Sequence, residues 1–142
     1  MNENIVLAAE EISMFCRLQI QVKKALPIRS SEMGVLIFIK NQDKAVTPLM
    51  ISNFFQISKP SVASMINELV QRNYLQKTPS ITDKRSYTVS LTKKGQELVE
   101  SAYQEYFKAI SLLQNKMGFK DFDIFIKLIQ KANKILSEGR NQ

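Results

Sequence analysis

The chain has 142 residues, 44% of them hydrophobic, with one cysteine and no histidine, a length that suits a single compact domain or one with helical extensions. Those counts exclude a disulfide framework within one chain, Ser-His-Asp and Cys-His catalysis and the commonest general acid-base side chain, and they leave a zinc site only carboxylates, an unusual ligand set. The formal charge of +7 is uneven: residues 1–46 hold six Lys/Arg and five Asp/Glu, residues 96–142 hold seven and six, and residues 47–95 hold seven basic residues against two acids, Glu68 and Asp83.

In chain order, Ile5, Ala8, Ala9, Ile12, Phe15, Leu18 and Val22 recur at helical spacing, which predicts a first helix from Ile5 to about Leu26. Pro27 stops it, since the residue before proline is pushed out of helical angles. Ser30 or Ser31 is expected to cap a second helix, Glu32 to about Lys40. Its Gly34-Val35-Leu36-Ile37-Phe38-Ile39 run is apolar all round and belongs in the middle of a core. Thr47-Pro48 opens a third helix, with threonine as cap and proline in the first helical position. Ile51, Phe54 and Phe55 give it an apolar stripe, and it ends near Ile57. Ser58 then caps a fourth helix running to about Arg72. Because Pro60 has no N–H, the Ser58 hydroxyl is expected to accept from Ser61. Asn73 is expected to end this helix in the left-handed conformation.

The period then changes. Tyr87, Val89 and Leu91 alternate with Ser86, Thr88 and Ser90, the pattern of a half-buried strand, with Leu75-Gln76-Lys77 as its partner. The polar stretch from Thr78 to Arg85 makes the tip of a basic β-hairpin. Thr92 caps a fifth helix whose stripe is Val99, Ala102, Tyr103, Tyr106, Ala109, Ile110 and Leu113, stopped by Gly118. A sixth helix runs from about Asp121 to Ser137.

The expected fold is therefore mainly α with a small β-hairpin wing: a winged helix-turn-helix over residues 28–95, with helices in 1–27 and 96–142 available for dimerisation. In a helix-turn-helix the second helix enters the major groove by its N-terminal half. On the fourth helix Val62, Met65, Ile66 and Leu69 share the core face, while Pro60, Ser61, Ser64, Asn67 and Glu68 face away. Asn67 suits adenine, and Ser58, Ser61 and Ser64 suit bases or phosphates. Lys59, Arg72, Lys77, Lys84, Arg85, Lys93 and Lys94 make residues 47–95 net +5, the expected footprint of a phosphate-binding module between nearly neutral flanks.

The stretch VTPLMISNFFQISKPSVASMINELVQRNYLQKTPSITDKRSYTVSLTKKGQELV resembles the winged-helix core of MarR-family (multiple-antibiotic-resistance regulator) repressors. The most specific piece is Asp83-Lys84-Arg85 followed by a strand and Leu91-Thr92-Lys93-Lys94-Gly95. The resemblance implies that Arg85 reaches the DNA minor groove and that Asp83 braces it, with Ser58, Lys59, Pro60, Ser61, Ser64, Asn67, Lys77 and Lys84 on the rest of the DNA face. It also implies a homodimer on a pseudo-palindromic operator in double-stranded DNA, no cofactor, and room for a small-molecule effector between dimer helices and winged helix. The chain departs from the family in having Ser64 where a basic residue is common and Asn73 where glycine is. Its link from Lys23 to Ser31 is also shorter than the family's usual one.

Some relatives sense oxidants through a cysteine in the first helix. Cys16 has Arg17 beside it, but residues i and i+1 do not face each other on a helix, so a buried, unreactive thiol is expected. A winged helix can also serve as a protein-docking module without specific DNA binding, a reading the basic wing opposes and a salt-dependent gel shift separates. An enzyme is not expected. No apolar run reaches the ~18 residues of a membrane span, and Met1-Asn2-Glu3-Asn4 has no basic region before an apolar stretch, so a cytoplasmic protein is expected.

Overall fold

The computed structural model describes residues 2–22, 26–83 and 85–140. Its elements are α1 (Glu3–Val22), α2 (Ser30–Lys40), α3 (Pro48–Phe55), α4 (Lys59–Gln71), β1 (Leu75–Pro79), β2 (Tyr87–Leu91), α5 (Lys93–Tyr106), α6 (Lys108–Met117) and α7 (Phe119–Arg140). They form two compact units, one of Pro27–Tyr103 and one of Met1–Leu26 with Gln104–Gln142.

The first unit is the winged helix. The apolar run of α2 is buried on almost every side, as its composition predicts. Met33 and Leu36 of α2, Ile51 of α3, Val62, Ile66 and Leu69 of α4, Leu75, Val89 and Val99 fill one core. The strands pair antiparallel, with Leu75 opposite Leu91 and Pro79 opposite Tyr87. Val46 adds a bridge to Val89, whose N–H donates to the Val46 carbonyl at 2.8 Å. β1 thus extends through Thr78 and Pro79, beyond the Leu75-Gln76-Lys77 strand expected from the sequence; proline is tolerated there because β1 is an edge strand.

The start of α2 also differs from expectation. Its N-cap is Arg29, not a serine. The cap works in reverse: the Glu32 carboxylate folds back and accepts from the Arg29 N–H at 2.9 Å, the glutamate half of a capping box.

The expected fifth helix is broken into α5, most of which belongs to the first unit, and α6, which belongs to the second. Phe107 lies between them with φ −94° and ψ 4°, its ring edge-on to Tyr106 at 4.9 Å. Gly118, at φ 89°, separates α6 from α7, a conformation that costs glycine little. Phe15 of α1 meets Phe125 of α7 edge to face at 5.8 Å. Otherwise the second unit is thinly covered, and Cys16 of α1, expected to be buried, is exposed because few side chains pack over this helix within one chain. Among the described residues α7 buries no side chain, and Leu128 and Leu136 are 60% and 69% exposed.

Candidate nucleic-acid interface

Two caps set the helix-turn-helix. The Thr47 hydroxyl accepts from the Met50 N–H at 3.2 Å, with Pro48 in the first helical position as expected. α3 stops at Gln56, which adopts the left-handed conformation with φ 56°. The turn is then held by Ser52, whose hydroxyl donates to the Ile57 carbonyl at 2.6 Å. Ser58 caps α4 by accepting from the Ser61 N–H, and its own hydroxyl proton goes to Ser61 Oγ at 2.8 Å. Ser58 therefore spends its hydroxyl on the helix start.

α4 is sharply two-sided. Val62, Ile66 and Leu69 are buried, Met65 is half-buried, and Lys59, Pro60, Ser61, Ser64 and Asn67 are exposed along the other side. The helix ends at Gln71, with Asn73 at φ 67° as expected. Lys77 of β1 reaches back to this helix, its ammonium donating to Asn67 Oδ1 at 2.6 Å and standing 4.5 Å from the Tyr87 ring centroid. The exposed polar face of α4 and the base of the wing are thereby one surface.

The Leu-Thr-x-x-Gly motif after the wing has a structural reason. The Thr92 hydroxyl accepts from the Gly95 N–H at 3.0 Å and donates to the Asn73 carbonyl at 2.6 Å, fastening the start of α5 to the end of α4.

The wing loop is stitched by its own polar groups. The Ser80 N–H donates to the Ser86 carbonyl at 3.0 Å. Asp83 accepts from the Arg85 N–H at Oδ1 and from the Ser86 hydroxyl at Oδ2, both at 3.0 Å. The carboxylate thus grips the backbone at Arg85 and leaves its side chain exposed, a different arrangement from a brace on the guanidinium. Lys84 lies outside the described residues.

One network escaped the sequence reading. Glu32 is 2% exposed, and its Oε1 has Arg72 Nη1 at 3.8 Å and Arg29 Nε at 4.0 Å. Arg29 Nη2 also stands 3.7 Å from Glu68 Oε2, so the acid of α4 is offset by a base outside residues 47–95. A recess of about 420 Å³ lies between the start of α2 and α4. The glutamate three residues into α2 was the available signal, since it marks a capping box.

Residues 26–86 match the model of the MarR family. Over 114 residues the chain is 27% identical to an uncharacterized HTH-type transcriptional regulator, YhbI, of Bacillus subtilis, a match spanning 80% of this chain and 73% of that protein. It is similar in structure to a MarR/EmrR family transcriptional regulator from Acinetobacter sp. ADP1, with a TM-score of 0.79 at 19% identity over 97% of this chain and 99% of that one. It is also similar to a mutant MarR from E. coli complexed with operator DNA, with a TM-score of 0.77 at 19% identity over 91% and 95% of the two chains. At such identities the structural likeness establishes the fold, a mostly helical winged helix with a two-stranded wing.

Proposed function

We propose that the chain, whose winged-helix unit matches the MarR family model over residues 26–86, is a transcriptional regulator of that family that binds a pseudo-palindromic operator in double-stranded DNA as a homodimer and acts there as a cytoplasmic repressor. In this reading α4 lies in the major groove, and Lys59, Pro60, Ser61, Ser64 and Asn67 meet the DNA. Ser58 serves them by fixing the helix start. Lys77 adds its charge beside Asn67, Lys84 and Arg85 carry the contact along the backbone to the minor groove, and Asp83 sets the wing. Repression follows from occlusion, since a dimer seated on a promoter excludes the polymerase.

The observation that carries the reading is the division of α4. Three apolar residues are fully buried on one side, and an unbroken polar side is left exposed and joined to the wing by Lys77. A helix serving only as scaffold has no use for that connection. Dimerisation is supported by α7, where Ile124, Leu128, Ile135 and Leu136 stay largely exposed within one chain.

The test is binding to duplexes enriched from fragmented genomic DNA, titrated across salt. A dimer making about six to ten phosphate contacts loses roughly 10³–10⁵ in affinity between 50 and 200 mM salt. A flat dependence, or no enrichment of any sequence, overturns the reading in favour of a protein-docking module.

A further inference from the structure

The side-chain amide of Asn67 has lost one of its two options. Its Oδ1 lies 2.6 Å from Lys77 Nζ. An ammonium has three donors and no acceptor, so the amide must turn its oxygen toward Lys77 and its NH2 elsewhere. The ammonium is itself held in place. Lys77 pairs with Val89 across the hairpin, which makes Tyr87 its diagonal neighbour, and the Tyr87 ring centroid is 4.5 Å from Nζ. Asn67 and Lys77 are both exposed, so the pair faces outward together.

Asparagine reads adenine with both ends of its amide, the oxygen accepting from N6–H and the NH2 donating to N7. Here one of the oxygen's two lone pairs is taken by a charge-assisted bond, which is about twice as strong as a neutral one, and the ammonium that makes it surrounds the acceptor end of the amide with further donors. An adenine amino group brought to this place meets the Asn67 NH2 and the Lys77 ammonium, donor against donor. Guanine presents N7 and O6, two acceptors, on the same edge. We infer that Lys77 determines the base specificity of Asn67, and that the two side chains together form a donor-only edge selecting guanine over adenine at one base pair of each half-site. This assignment rests on the reading that α4 occupies the major groove, and it replaces the adenine contact that Asn67 alone suggests.

The experiment uses the full chain and a pool of randomised duplexes, followed by competition between duplexes that differ at a single pair. The wild type is expected to favour G·C over A·T by about tenfold or more at one position per half-site. Asn67→Ala should abolish preference at that position. Lys77→Met should lower the G·C to A·T ratio there by about tenfold while leaving the other positions alone, whereas Lys77→Arg, again only a donor, should retain it. If Lys77→Met weakens every duplex by one common factor with its ratios intact, Lys77 is a phosphate contact only and the inference fails. A wild-type preference for A·T at the position that Asn67→Ala erases overturns it without any Lys77 variant. Absence of sequence-selective binding by the wild type instead overturns the DNA reading on which the inference rests.

Discussion

Gly95 lies against the backbone carbonyl of Tyr74 so closely that a Cβ at this position overlaps the carbonyl oxygen. The obstacle cannot swing aside: it is main chain, and the same oxygen accepts from the Thr92 N–H at 3.1 Å. Overpacking of this kind costs about 1–3 kcal/mol, and a rigid neighbour puts the cost at the upper end. Gly95→Ala is therefore expected to lower stability by about 2–3 kcal/mol in urea unfolding. Gly139 has nothing within 4 Å of a built Cβ and lies in α7, so Gly139→Ala should leave stability unchanged or raise it by ~0.5 kcal/mol. Equal effects at the two glycines defeat the packing argument.

The Arg72 guanidinium donates to the Pro27 carbonyl, lies 3.8 Å from the buried Glu32 carboxylate and covers the Tyr74 ring at 5.5 Å. Stripping the partner from a buried charge costs about 3–5 kcal/mol. The Arg72 side chain is 36% exposed, so solvent screening trims its share. Arg72→Met should cost about 2 kcal/mol. Adding Glu32→Gln should recover part of that loss, because the double variant buries no carboxylate. A double variant less stable than Arg72→Met alone would show that the charge was not the cause.

What the sequence makes legible is what its caps and periods encode locally. Thr47-Pro48, Ser58 and Thr92 mark helix starts through hydrogen bonds to residues a turn away, and Asn73 marks a helix end by its left-handed conformation. The break at Phe107 has no such mark: neither glycine nor proline stands there, and the apolar stripe runs through it at helical period. The links that unify the candidate interface, Lys77 to Asn67 and Arg29 to Glu68, join polar residues open to water on different segments. Hydrophobic patterning says nothing of such pairs, because either partner is equally at home in water. Asp83 is an intermediate case. Its pairing with Arg85 follows from the resemblance, but an Asp-x-Arg motif does not tell a grip on the guanidinium from the grip on the Arg85 N–H that the carboxylate makes.

The uncovered face of α7 predicts the oligomeric state. Leu128 and Leu136 are eight residues apart on one helix and mostly exposed in a single chain. Burying a leucine contributes about 1.5–3 kcal/mol, and two leucines in each of two protomers contribute severalfold more. Leu128→Glu with Leu136→Glu should weaken self-association by at least about a hundredfold, since each 1.4 kcal/mol is tenfold. Sedimentation at micromolar concentration should show a dimer for the wild type and a folded monomer for the variant. A monomeric wild type removes the homodimer from the functional reading.

The wing gives the final prediction. Arginine suits a narrow minor groove, where negative potential is concentrated, and Arg85 is exposed at the hairpin's return. Arg85→Ala should weaken specific DNA binding by ~1–3 kcal/mol with fold and dimer intact. Asp83 holds the Arg85 N–H with one carboxylate oxygen and the Ser86 hydroxyl with the other, so it acts by setting the backbone from which Arg85 departs. Asp83→Ala should therefore weaken binding by less than Arg85→Ala, because a misplaced arginine still contributes charge. Ser86→Ala, which removes one of the two grips, should produce a smaller loss in the same direction. In a double-mutant cycle Asp83→Ala with Arg85→Ala should be little worse than Arg85→Ala alone, since residues acting as one unit are non-additive. Binding titrations at one salt concentration, with circular dichroism to confirm folding, give all four corners of the cycle. Fully additive losses would show that Asp83 does not act through Arg85, and an unchanged affinity for Arg85→Ala would take the wing out of recognition.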